Sequence, residues 1–93
     1  MAKKNVIVKS DVRKSLPDVA AFLRELADKI EANQVTLQQG ADEVSLTLPE
    51  TVDFELEFTE KMKKKKGVKR QLEIEIEWYK DGSRGKREEV SLG

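Results

Sequence analysis

The chain has 93 residues, with 18 Lys plus Arg, 18 Asp plus Glu, no His and no Cys. That length suits one small domain, which buries only roughly 60% of the surface its unfolded chain exposes. Without Cys there are no disulfides, iron–sulfur clusters or thiol chemistry, and without His the commonest metal ligand and the commonest general base are missing.

Apolar residues at 38% face 39% charged ones, but the two kinds alternate along the chain, which favours a folded domain over a disordered one. The longest apolar run, residues 19–23, is far shorter than the roughly 20 residues of a membrane span. Residues 1–10 hold no stretch suited to a secretory signal, so the sequence points to a cytoplasmic protein. The net charge of zero hides an uneven layout: residues 42–59 carry −6 and residues 60–70 carry +6.

In chain order, the β-branched run at residues 5–9 predicts a first strand, with Val6 and Val8 on one face. Ser15, Pro17 and Asp18 then mark a helix start, through a capping hydroxyl, a first-turn proline and an acidic complement to the helix dipole. Leu16, Val19, Leu23, Leu26 and Ile30 recur at helical spacing, with Phe22 and Ala27 widening the stripe, so one amphipathic helix should run to about Asn33 and lay its apolar face on a sheet.

Beyond Asn33 the period becomes two. Val35 and Leu37, then Val44, Leu46 and Leu48, alternate with polar residues on either side of Gly40, which predicts a hairpin. After Pro49 a third strand carries Val52, Phe54, Leu56 and Phe58 inward and Asp53, Glu55 and Glu57 outward. A basic connection over residues 61–67 leads to a fourth, in which Leu72, Ile74, Ile76 and Trp78 oppose Glu73, Glu75 and Glu77. Asp81 and Gly82 signal a turn, and beyond Ser83 a frayed tail or weak edge strand is expected. The sequence therefore predicts an α+β fold in the order β-α-β-β-β-β, an antiparallel sheet of four to five strands with one helix packed on its apolar face. Residues 1–83 form the domain and residues 84–93 the tail, and Phe22, Phe54, Phe58 and Trp78 sit on the core side.

The alternating run from Leu72 to Trp78, preceded by the alternation of Val52 to Phe58 and by the helix, resembles the amphi-Trp domain, a small bacterial and archaeal family named for an amphipathic strand ending in Trp. The likeness covers roughly residues 5–80. It implies the α+β fold and brings no activity, cofactor or catalytic residue with it.

Two clusters are candidate binding sites. Asp53, Glu55 and Glu57 should neighbour Glu73, Glu75 and Glu77 across a strand pair, where like charges repel. Compensation would come from Lys and Arg of the same chain or of a basic partner, from a hard cation such as Ca²⁺ or Mg²⁺, or from water on a solvated face whose charge blocks aggregation. Lys61, Lys63, Lys64, Lys65, Lys66, Lys69 and Arg70 form a basic loop able to neutralise phosphates. With the large aromatics turned inward no stacking platform accompanies it, so contact with nucleic acid would be weak and indifferent to sequence. The five glycines are scattered, and no paired-carboxylate cleft is legible. The sequence thus points to a non-catalytic module without a cofactor, binding a protein or itself through the acidic face or a strand edge. Nucleic-acid binding through residues 61–70 is the alternative.

Overall fold

The computed structural model describes residues 3–80 and 90–93. One helix, α1 (Leu16–Glu31), is followed by four strands, β1 (Gln34–Gln39), β2 (Asp42–Thr47), β3 (Asp53–Lys63) and β4 (Gly67–Glu77). The fold is α+β, but the strands form two separate antiparallel two-stranded sheets, β1–β2 and β3–β4, and not the single sheet expected. The chain divides between Leu48 and Pro49 into two compact units.

In the first unit α1 begins as the sequence predicts. The Ser15 hydroxyl accepts a 3.3 Å bond from the Asp18 amide, and Pro17 sits in the first turn. The helix ends where Asn33 takes a left-handed conformation, φ 62°, with its amide donating to the Ile30 carbonyl at 2.9 Å. Asn is one of the few residues that tolerate this geometry at a helix C-terminus. Asn33 also fastens the far end of the hairpin. Its carbonyl accepts from the Leu48 amide at 2.9 Å, and its side-chain Nδ2 donates to the Leu48 carbonyl at 3.4 Å.

β1 and β2 join through Gly40 and Ala41. Gly40 has φ 58° and Ala41 lies outside the positive region, the signature of a two-residue turn with glycine first. Val35 faces Leu46 and Leu37 faces Val44 on one side of the ribbon, against which α1 packs through β1. Val35 and Leu48 are the buried apolar residues, at 6% and 8% exposure. On the outer side, neutral partners meet across the strands: Thr36 Oγ1 with Ser45 Oγ at 3.2 Å, and Thr47 Oγ1 donating to Gln34 Oε1 at 3.4 Å. Gln38 Nε2 donates to Glu43 Oε2 at 2.9 Å.

The strand expected at residues 5–9 does not form. A β-branched run becomes a strand only where a free edge accepts its ladder. Here the Lys9 carbonyl is taken instead by the side chain of Gln39, the last residue of β1. Val6 and Ile7 are left exposed.

The second unit is a single long hairpin of two 11-residue strands. It outruns the expected strands because the apolar alternation continues past Phe58: Met62 lies opposite Val68. Residues 61–63, expected in the connection, belong to β3, and the turn shrinks to residues 64–66. The Lys66 amide donates to the Lys63 carbonyl at 3.3 Å, and Gly67 follows at φ 85°. A tight turn closed by a left-handed glycine matches the right-handed twist of the flanking strands.

Phe54/Ile76, Leu56/Ile74, Phe58/Leu72 and Met62/Val68 form one face of this hairpin. Among the described residues of its own unit no second layer covers that face, and Phe54 and Phe58 are 54% and 58% exposed. Phe22 on α1 is likewise exposed. The expected core positions of these three rings are corrected accordingly. Alternation assigns a side chain to a face, whereas burial requires something to cover that face. Trp78, one residue past β4, is half-buried. The turn expected at Asp81 and Gly82 and most of the tail at residues 84–93 lie outside the described residues, and residues 90–93 form no strand.

Replacing Asn33 with Ala should cost about 1–2 kcal/mol, because a Cβ-bearing residue without a local polar bond is disfavoured in the left-handed region. Replacing it with Gly should retain most of the stability. Urea denaturation of the two variants beside the parent checks this order.

Candidate functional site

The register of the long hairpin decides where its charged residues stand. Cross-strand partners on its polar face are Asp53/Glu77, Glu55/Glu75, Glu57/Glu73, Thr59/Gln71, Lys61/Lys69 and Lys63/Gly67. The six carboxylates expected to be neighbours are thus brought directly opposite one another as three like-charged pairs at the open end. Asp53 and Glu55 are half-buried and the other four are exposed. Gln71 Nε2 donates to Glu73 Oε1 at 2.7 Å. Among the described residues no Lys or Arg forms an ion pair with any of the six.

Toward the turn the same face reverses sign. Lys61 and Lys69 stand opposite each other, Lys63 follows, and Lys64, Lys65 and Lys66 make the turn itself. Lys63, Lys65, Lys66, Gly67 and Lys69 surround one shallow hollow of about 650 Å³. Glu55 and Lys63 are eight residues apart, roughly 27 Å along an extended strand. The face therefore runs from acidic to neutral to basic within one element.

Arg70 leaves the basic cluster in which the sequence grouped it. It lies on the opposite face, where its Nε bonds Glu60 Oε2 at 2.8 Å and its guanidinium sits 5.8 Å from the centre of the Phe58 ring. Sequence reading missed this trio. Its signal was the register itself, since a turn at residues 64–66 places residue 60 opposite residue 70. The exposed rings Phe54 and Phe58 share that face and are absent from the side of Lys61, Lys63 and Lys69.

The arrangement offers charge and hydrogen bonding. A ladder spaces carboxylates along a surface and does not wrap them around an ion. Among the described residues no group of three Asp or Glu converges closely enough to hold a metal. Nor does any helix there have the length and apolarity to cross a membrane.

The carboxylate and apolar alternation of β4 ends on Trp78, and the family model of the amphi-Trp domain matches the chain over residues 1–93. The chain belongs to the amphi-Trp domain family. The match runs through the residues set apart as a tail. No curated protein and no solved structure matches the chain. In this amphi-Trp domain the defining amphipathic strand is one arm of the long hairpin, and its acidic side faces an equally acidic side of β3.

Like charges directly opposite in a strand pair are destabilising. Replacing both Glu55 and Glu57 with Gln relieves two of the three pairs and should stabilise the domain by up to about 1 kcal/mol per pair. The gain should shrink as salt screens the parent's repulsion. Urea unfolding followed by Trp78 fluorescence at low and high salt measures both effects.

Proposed function

We propose that this amphi-Trp domain is a non-catalytic, cytoplasmic interaction module whose working surface is the long hairpin. The acidic half of the polar face and the outer strand edges take a positively charged protein surface, that of a second copy included. The observation that carries this reading is the contrast between the two hairpins. β1–β2 covers its outer face with hydrogen-bonded pairs, two of them neutral, whereas β3–β4 keeps three facing carboxylate pairs without a cation among the described residues. Charge that opposes folding is retained where it serves recognition, because complementary potentials raise association rates and exclude partners of the wrong sign. The lack of His and Cys supports a role without catalysis.

A second reading has its own observation: four lysines of the turn region gather around one hollow. Such a tip could hold the phosphates of a nucleic acid. The aromatic rings that would stack bases stand on the other face, so this contact would be electrostatic and steeply salt-dependent.

Titration of isotopically labelled protein with a lysine-rich peptide should shift the amides of residues 53–57 and 73–77. The double variant Glu55→Gln/Glu57→Gln should weaken that response. A peptide that moves none of these signals at low ionic strength removes the reading. Oligonucleotides serve as the competing titrant. Shifts confined to residues 61–70 that fade between about 50 and 200 mM salt would promote the phosphate-binding reading, and replacing residues 63–66 with Gln should abolish them.

A further inference from the structure

We infer that the partner for which β3 is built is β3 of a second copy of this chain, paired antiparallel about a two-fold axis at Phe58. This rests on reading the long hairpin as an association surface and identifies its occupant. Among the described residues β3 pairs with β4 alone, which leaves the backbone donors and acceptors of its other edge without a strand partner there. Such an edge is a template for another strand.

The charge order on β3 selects which strand. Its polar-face residues read Asp53, Glu55, Glu57, Thr59, Lys61, Lys63. Reversed on itself, this row is complementary. With Phe58 opposite its own copy, Asp53 meets Lys63 of the second copy and Glu55 meets Lys61, and symmetry doubles both pairs. All eleven residues of the strand are then matched. On the apolar face Phe58 meets Phe58, and Phe54 meets Met62. Leu56 falls opposite Glu60, whose carboxylate is already held by Arg70.

Competing arrangements are poorer. Sliding by one residue sets the polar face of one strand against the apolar face of the other. Centring on Glu57 or on Glu60 opposes that carboxylate to itself. Centring on Thr59 keeps the ion pairs but leaves Asp53 and Phe54 beyond the end of the partner strand and sets Phe58 against Glu60. β4 paired with itself over its full length matches only Glu75 with Lys69, because Gly67 falls opposite Glu77. The two-fold β3 pair thus combines the most opposite-charge contacts with an aromatic contact on the axis. It also neutralises two carboxylates of the acidic ladder in each copy, which is the compensation that ladder lacks in the single chain.

Sedimentation of the full chain tests the pairing. The parent should dimerise, with affinity falling about tenfold or more between about 50 and 500 mM salt as the ion pairs are screened. A parent that stays monomeric at both salts overturns the inference. Two charge-reversed variants separate this pairing from general stickiness. Asp53→Lys/Glu55→Lys and Lys61→Glu/Lys63→Glu should each be monomeric, while their mixture should form a heterodimer, since every pair across the axis again joins opposite charges. A mixture no more associated than its components overturns the pairing.

The chain has no native Cys, so crosslinking reads the register directly. Phe58→Cys should oxidise to a covalent dimer, whereas Thr59→Cys should not, its Cα atoms lying beyond the roughly 7 Å limit for a disulfide. The opposite pattern overturns the Phe58 axis. A monomer whose acidic face still answers the lysine-rich peptide sinks this inference alone. Silence in both experiments sinks the wider reading as well.

Discussion

The charge pattern of the long hairpin depends on the register of β3 against β4, and that register is set at the turn. Residues 64–66 reverse the chain, and Gly67 at φ 85° supplies a conformation that other residues adopt at a cost. From there eleven partners follow without choice. A shift of one position would set Glu55 and Glu57 beside Leu72, Ile74 and Ile76 of β4, and Phe54 and Phe58 beside Glu73, Glu75 and Glu77, mixing carboxylates with apolar side chains on both faces. The mixed face would lose the apolar ladder that holds the two arms together. A run of four lysines is an unpromising place for a tight turn, since like charges crowd there, so the glycine and the strands beyond it must impose the geometry.

Attraction and repulsion are segregated by face. Phe54/Ile76, Leu56/Ile74, Phe58/Leu72 and Met62/Val68 contribute roughly 0.2–1 kcal/mol per cross-strand contact. The three carboxylate pairs act against them with similar magnitude. A two-stranded hairpin is marginal in water even without such opposition. The short hairpin of the same chain shows the alternative, with hydrogen-bonded side chains across its outer face and Asn33 fastening helix and strand ends together. One chain therefore contains an element arranged for cohesion and another arranged around exposed charge.

Much of this was legible in the sequence, for reasons tied to period. The helix start was written in Ser15, Pro17 and Asp18, the short hairpin in the switch to alternation around Gly40, and the acidic faces in residues 53–57 and 73–77. What alternation does not carry is the partner of a strand. Residues 5–9 have strand propensity but pair with no strand, and the expected single sheet is two separate ribbons, because nothing local specifies which strands are neighbours beyond a tight turn. β3 and β4 extend beyond the expected strands because a run of lysines resembles a loop in composition. In a two-faced ribbon Lys61 and Lys63 are ordinary polar-face residues, and Met62, opposite Val68 on the apolar face, is the sign that the strand continues. Composition groups Arg70 with the lysines, whereas strand parity sends it to the other face and into contact with Glu60 and Phe58.

The three-residue turn also bears on the order in which the chain acquires structure. Its arms lie beside each other from the moment the turn closes, so the long hairpin has little loop entropy to overcome and belongs with elements that assemble within microseconds. The bonds from Asn33 to Leu48 join groups 15 residues apart and require α1 to have ended and β1–β2 to have formed. Zipping from the turn outward thus brings the lysines into place first and the carboxylates last. The repulsive end closes only after the apolar ladder has accumulated enough contact to hold it.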